Sequence, residues 1–284
     1  MKCLFIIVAV FHFTLFGYGQ CTQGYDNDFI ELIEMIYGEG LLSQGGIESI
    51  DELLSDIDLN DMKALDIGSG LGMYDIHLAK QYKIDILGIE ALEELVERAK
   101  VNRVKHQHEL LGNVAFILAE ENNLKNLPDH TFDLVFSKES LLHIPLELKE
   151  SYFQEIHRVI KPGGQLVIMD WMHSSPAYSE NTQKMMEMDG VSFQLLTPAE
   201  YAKSLERAGF TNVQFTDTSS NHVDYSAKNL ETIHSLANKI QIRFGNDTYQ
   251  YCVKSWGYQR DAFKNLELIT GIFRAVCYSR FSLE

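Results

Sequence analysis

The 284 residues are 45% hydrophobic and 23% charged, which gives length and apolar content for one large domain or a domain with a sizeable insertion. Lysine plus arginine number 24 against 40 aspartates plus glutamates, a formal charge of −16 that opposes binding to a phosphate backbone, so nucleic acid is not an expected ligand. The chain has no charge block, low-complexity tract or fixed-period repeat, which leaves solenoid and disordered-tail architectures without support.

At the N-terminus, Lys2 precedes an apolar run from Cys3 to Phe16, and Gly17-Tyr18-Gly19 places small residues where a signal peptidase reads. Residues 1–19 therefore fit a cleaved secretory signal, and equally a buried N-terminal segment or a misassigned start codon; the chain is secretory on the first reading and cytoplasmic on the others. The run is too short to span a bilayer. Cleavage would leave Cys21, Cys252 and Cys277, an odd number that does not suggest a full disulfide framework.

Next, Asp26-Asn27 can cap a helix carrying Phe29, Ile30, Ile33, Ile36 and Tyr37, which the glycines from Gly38 to Gly46 break. A second helix is expected over about Ile47 to Ile57; with the first it forms an N-terminal helical lid over 25–57. From residue 58 onward, strands are expected at Lys63 to Ile67, Ile84 to Ile89, Val114 to Leu118, Phe132 to Phe136 and Gln165 to Met169, with helix-patterned segments between them. Such alternation predicts an α/β fold with a mostly parallel sheet covered on both faces, whose ligands bind beyond the carboxyl ends of the strands.

The stretch ALDIGSGLGM, Ala64 to Met73, lies at that edge. A dinucleotide fingerprint needs a third glycine at position 73, which is methionine, so an oxidoreductase on a similar sheet is disfavoured. Instead Asp66 ends the strand just before Gly68, Gly70 and Gly72. A carboxylate there would repel a pyrophosphate on the helix N-terminus but would suit a ligand bearing an ammonium group or hydroxyls, such as S-adenosylmethionine. Glu90, eighteen residues past Gly72, ends the next strand and can accept two ribose hydroxyls, with Ala91 adjoining it. Glu120-Glu121-Asn122 follow the third strand, where Glu121 and Asn122 are candidates for the adenine amino group. No metal is expected in the site.

On ALDIGSGLG, GIE, LPDHTFDLVFS, LLHI and RVIKPGGQLVIMDW, over about residues 40 to 215, the chain resembles the seven-strand methyltransferases that use S-adenosylmethionine. The resemblance implies a Rossmann-like sheet whose last strand is antiparallel, with TGIFRAV, Thr270 to Val276, as its candidate, and then a helical insertion over about 217–267. Tyr25, the stretch IYGEGLLSQGG and the pair Lys138 and His143 also resemble the phosphoethanolamine, sarcosine and dimethylglycine N-methyltransferases. That likeness implies that Tyr25 and His143 form a dyad closing over the methyl sulfonium, and that Ser43 contacts the methionine part of the cofactor. An ammonium has no lone pair, so a histidine titrating near neutrality can hold the amine's proton while a tyrosine hydroxyl orients it.

The sequence also departs from the phosphobase pattern: Lys138 stands in place of an arginine, and Glu187, Val191 and Phe193 precede Leu196 where tyrosines are expected. Lysine supplies charge without a bidentate fork, which leaves phosphoethanolamine-type and N-methylglycine-type acceptors both open, with Lys138 as a ligand to cofactor or acceptor. Trp171 and Tyr178 are candidates for an aromatic wall around a methylated ammonium. Two alternatives to N-methylation are a binding protein without turnover and methyl transfer to oxygen or carbon of a small metabolite. The oligomeric state is not legible.

Overall fold

The computed structural model describes residues 25–119, 123–174, 177–189 and 193–278; the signal-like segment 1–19 lies outside them. The strands β1 (Lys63–Ile67), β2 (Asp85–Glu90), β3 (Asn113–Leu118), β4 (Phe132–Lys138), β5 (Ile160–His173), β6 (Phe210–Asp217) and β7 (Leu268–Cys277) form one sheet in the order β3-β2-β1-β4-β5-β7-β6. Strands β1 to β5 pair in parallel, and β7 runs antiparallel to both β5 and β6, as expected of the last strand.

Two strands differ from the expectation for physical reasons. β5 is longer because Pro162-Gly163-Gly164, which reads as a break, is carried as an irregularity in the ladder: the pairing with β4 shifts between Phe132 and Leu134, and Gly163 has φ +84°. At its other end it continues to His173 because β7 supplies partners as far as Leu268. β6 has no counterpart among the expected strands. It is a half-exposed edge strand whose alternation of Phe210, Val213 and Phe215 is broken at Asn212, φ +50°, where its register against β7 shifts.

The helices are α1 (Asn27–Tyr37), α2 (Glu48–Leu53), α3 (Met73–Gln81), α4 (Glu93–His106), α5 (Asn123–Asn126), α6 (Leu146–Val159), α7 (Glu180–Asp189), α8 (Pro198–Arg207), α9 (Ser219–Ser235), α10 (Ala237–Phe244) and α11 (Asn246–Lys264). Those flanking the sheet supply two apolar layers. Ile50, Leu53, Ile76 and Val96 from α2, α3 and α4 cover one face, and Phe153, Ile156, Tyr201 and Leu205 from α6 and α8 cover the other. α2 stops at Leu53, short of the expected Ile57, because Leu54 leaves helical geometry at φ −107°, ψ 11° while burying its side chain in the first layer.

α1 is capped by Asp26, whose side chain accepts the Phe29 N–H at 2.8 Å, and ends at Gly38, whose N–H donates to the Glu34 carbonyl. Its buried Leu32, Ile33 and Ile36 do not face the sheet. They pack on Ile233 of α9, Ile240 of α10 and Trp256 of α11, the three helices between β6 and β7. The N-terminal segment and this helical excursion are thus one packed unit above the carboxyl ends of the strands. Strand order reverses between β1 and β4, and that point is where a ligand crevice is expected.

Candidate active site

The loop after β1 bends through glycines at which any side chain would be strained. Gly68 has φ +83° and Gly72 φ +77°; a Cβ on Gly68 would collide with the Ser140 side chain, and one on Gly72 with the Phe116 ring. The loop is fastened to β2: the N–H groups of Gly68 and Ser69 both donate to the Ile89 carbonyl, at 2.9 and 3.1 Å. Glu90 completes the clasp, its Oε2 accepting the Gly70 N–H at 3.0 Å and its Oε1 those of Ala91 and Leu92 at 2.7 and 3.2 Å. Burial pushes the Glu90 carboxyl above its ordinary value, and the three backbone donors work against that shift.

Asp66, at the end of β1, is buried beside Asp75 of α3. Burial raises both carboxyls, Asp66 to about 7 and Asp75 well above the carboxylate range with the neighbouring Asp66 adding to its shift, and neither Asp75 oxygen has a hydrogen-bond partner among the described residues. The neighbouring Ser69 Oγ is buried without a hydrogen-bond partner. A glycine cradle, a buried carboxylate and an orphaned hydroxyl sit together at one loop.

The end of β4 assembles a second cluster. Lys138 Nζ donates to Ser43 Oγ and to the Gln44 carbonyl, each at 2.8 Å, and lies over the Tyr74 ring; Ser43 Oγ is also 3.1 Å from the Tyr74 hydroxyl. Burial presses the ammonium down, but Glu139 overrules this and keeps it above its ordinary value. Glu139 adopts φ +54°, a left-handed conformation uncommon for a side chain of this kind. Its Oε1 receives Lys138 at 3.5 Å and lies 2.8 Å from Nε2 of His222 on α9. Although burial raises it, those two partners bring its carboxyl down to about 2, so it is ionised at neutral pH.

Tyr25, Glu139, His143 and Trp171 meet in a cavity of about 150 Å³. The short 3-10 turn Leu141–His143 after β4 brings His143 there, and its ring stacks with Phe193, which stacks in turn on Trp171 at 5.6 Å. Gln44, Gln259 and Trp256 line it from the lid segment and α11. Leu42 joins the cavity to the glycine loop, since it lines the one and would touch a Cβ on Gly70 of the other. Burial, helped by Lys149, lowers His143 to about 4, and burial with Glu90 raises Tyr25 to about 12. Both are therefore neutral at pH 7, and the expected near-neutral titration of His143 does not hold in this setting.

Of the residues singled out in sequence, Asp66, Gly68, Gly70, Glu90 and Ala91 meet at the glycine loop, and Tyr25, His143 and Trp171 at the cavity. Ser43 and Lys138 stand between them, and Lys138 does not line the cavity because its ammonium is turned to Ser43 and Gln44. Tyr178 does not line it either and packs edge-on against His173. Glu121 and Asn122 fall outside the described residues. Glu139, His222, Gln44 and Gln259 are additions. Gln44 is 1% exposed and bonds to Gln259 at 2.7 Å, Asn229 at 2.8 Å and Ser226 at 3.2 Å, tying the lid segment to α9 and α11. Only Glu139, adjoining Lys138 in sequence, carried a local signal. A larger cleft of about 600 Å³ beside α4, lined by Glu34, Glu39, Glu94 and Glu97 among others, contains none of the expected site residues.

Comparison with known proteins agrees with this arrangement. Residues 58–209, more than half the chain, match a family described as a methyltransferase domain. A phosphoethanolamine N-methyltransferase of Plasmodium falciparum is 32% identical over 221 residues, covering 78% of this chain and 79% of that protein. In structure, the chain is similar to Haemonchus contortus phosphoethanolamine N-methyltransferase 2 bound to phosphomonomethylethanolamine and S-adenosylhomocysteine, with a TM-score of 0.81, 19% identity and coverage of 90% of this chain and 59% of that one. It is also similar to a Galdieria sulphuraria protein assigned as a sarcosine dimethylglycine methyltransferase, with a TM-score of 0.75, 16% identity and coverage of 89% and 99%. The two structural likenesses establish the fold, while the family match and the Plasmodium relative go further: this chain belongs to the S-adenosylmethionine-dependent methyltransferases, in the phosphoethanolamine N-methyltransferase family.

Proposed function

We propose that this protein transfers a methyl group from S-adenosylmethionine to the nitrogen of a small amine. The observation that carries the reading is the single cavity in which an ionised carboxylate, Glu139, and two neutral hydrogen-bonding groups, Tyr25 and His143, meet next to a glycine cradle. The residues present fit the cofactor: Glu90 suits the ribose hydroxyls, Asp66 and Gly68 the close approach at the loop, and Ser43 with Lys138 the amino-acid end. Bound there, S-adenosylmethionine supplies an electrophilic methyl group on a sulfonium.

The chain's own residues then act by holding the acceptor. Glu139 attracts an incoming ammonium, and the faces of Trp171 and Tyr25 stabilise positive charge as methyl groups accumulate on nitrogen. Neutral His143 accepts a hydrogen bond from the amine N–H and takes up the proton that the incoming ammonium must shed, while the protonated Tyr25 hydroxyl donates to a neighbouring oxygen of the acceptor, so that the nitrogen lone pair stays free to attack the methyl carbon as the S–CH3 bond breaks. Alignment of nitrogen and methyl carbon is worth up to roughly 7–11 kcal/mol of barrier in favourable cases. The packed unit of α1 with α9 and α11 supplies one wall of the cavity through Phe29, Ile33, Tyr37 and Trp256.

Methyl-labelled S-adenosylmethionine with a panel of amines, followed by mass spectrometry, tests the reading. Glu139→Gln should raise KM for the acceptor at least tenfold, in line with about 1.5–3 kcal/mol for a hydrogen bond to a charged group. Transfer to no amine at all would sink it.

The N-terminal run with its small-residue site supports a secretory route on sequence pattern alone, and sequencing the N-terminus of the mature protein tests it. No helix among the described residues is long and apolar enough to cross a membrane.

A further inference from the structure

We infer that His222, on α9, is a positioning residue for methyl transfer: it ties one oxygen of the Glu139 carboxylate to the helical excursion so that the other faces the acceptor's ammonium. The inference rests on the N-methylation reading above, in which Glu139 receives that ammonium, and names the residue that sets its geometry. Glu139 lines the cavity, and its Oε1 lies 2.8 Å from His222 Nε2 and 3.5 Å from Lys138 Nζ. An ionised carboxylate only accepts hydrogen bonds, so Nε2 carries the hydrogen and donates it. Both contacts fall on Oε1, which leaves Oε2 without a protein partner among the described residues.

Of the two partners, His222 decides where the carboxylate lies. A charge-assisted N–H bond to a carboxylate is about 2.7–2.9 Å long. The histidine contact falls in that range and the lysine contact outside it, because Lys138 gives its shorter bonds, 2.8 Å each, to Ser43 Oγ and the Gln44 carbonyl. The backbone at Glu139 is also held from outside: its N–H donates to the Met169 carbonyl at 2.8 Å, and φ +54° persists only where surrounding contacts impose it. Without the imidazole, the carboxylate would close on the Lys138 ammonium and lose the charge it offers to an amine.

The setting of His222 fits this role. It is fully buried, and rings on three elements fix it: Phe263 of α11 at 5.0 Å, Trp171 of β5 at 6.1 Å and perpendicular, and Tyr225 one turn along α9 at 5.4 Å. It does not line the cavity, whereas Trp171 and Glu139 do, so it stands behind the wall and reaches the acceptor only through Glu139. Its Nδ1 is buried without a hydrogen-bond partner, a cost that a phenyl ring filling the same space would not carry.

The test measures kcat and KM of the full chain with S-adenosylmethionine and three acceptors, phosphoethanolamine, N-methylethanolamine and sarcosine, and follows each amine that the wild type methylates. His222→Phe keeps a ring and removes the donor. Because Glu139 meets the ammonium before its proton is shed, this variant should raise the acceptor KM by about tenfold or more while kcat changes less than about threefold. His222→Gln restores an N–H and should return KM to within about threefold of the wild type. In the double variant Glu139→Gln/His222→Phe, KM should match that of Glu139→Gln alone within about twofold, since a residue that acts through Glu139 has nothing left to act on. His222→Met, which also lacks the donor, replaces His222→Phe if the latter does not fold. A KM close to the wild type without the donor, equal losses with and without it, additive losses in the double variant, or loss of the fold in both donor-free variants would overturn the inference and leave N-methylation standing. Absence of N-methyl product from all three amines with the wild type would overturn the N-methylation reading and the inference together.

Discussion

His143 and Tyr25 both line the cavity and neither carries charge at neutral pH, because burial opposes the imidazolium as it opposes the phenolate. Their contribution is hydrogen-bond geometry and, for His143, uptake of the amine's proton, and this separates their replacements. His143→Ala should lower kcat by about 10²-fold, the low end for a positioned proton-handling group, whereas His143→Asn should recover part of the loss because an amide also accepts an N–H. In kcat/KM against pH, no inflection near 6.5 should vanish with the Asn variant; one that does would restore the titrating histidine. The same residue affects stability. Its folded value of about 4 lies below the unfolded 6.5, so between these pH values the unfolded chain binds more protons and stability falls as the pH is lowered. Denaturant unfolding at pH 7 and 4.5 should show a loss of about 2–3 kcal/mol from this group in the wild type that His143→Asn lacks.

Among the elements, the glycine loop was legible because its requirement is local: positive φ at Gly68 and Gly72 restricts residue type at fixed spacing after a strand. The acids at strand ends were legible for the same reason. His222 and Gln44 were not, and Glu139 only as a neighbour of Lys138, because their roles come from contacts across the chain, 83 positions for Glu139 with His222 and 215 for Gln44 with Gln259. Lys138 was legible as a candidate site residue, yet only the placement of the lid segment decides that its ammonium meets Ser43 and Gln44. The buried amide cluster gives the lid a test of its own. Gln44→Ala leaves the Asn229 amide without its partner and Gln259 with Ser226 alone, a cost of about 1–3 kcal/mol for the buried unsatisfied group. Hydrogen exchange should then rise over residues 25–46 and in α9 while β1 to β5 stay protected; unchanged exchange in the lid would mean that apolar packing of α1 alone holds it closed.

For the whole molecule, the sheet order with its reversal between β1 and β4 brings the ends of four strands and the β6–β7 excursion to one edge. The alternation of apolar strands and helices was enough to expect that sheet, since parallel strands buried on both faces read as short apolar runs. The broken periodicity of β6 and the passage of β5 through Pro162-Gly163-Gly164 were not, because there tertiary pairing overrides local signals. The architecture joins a glycine cradle to a small aromatic cavity with one carboxylate, and the proposed function requires that methyl groups arrive on nitrogen. Carbon-13 NMR of reactions containing S-adenosylmethionine labelled in its methyl group, with the amine panel, reads the accepting atom directly. The account expects new signals at the shift of N-methyl groups, absent when Gly68→Ala replaces the wild-type protein. Signals only at O-methyl or C-methyl shifts, or none while the cofactor is bound, would contradict it.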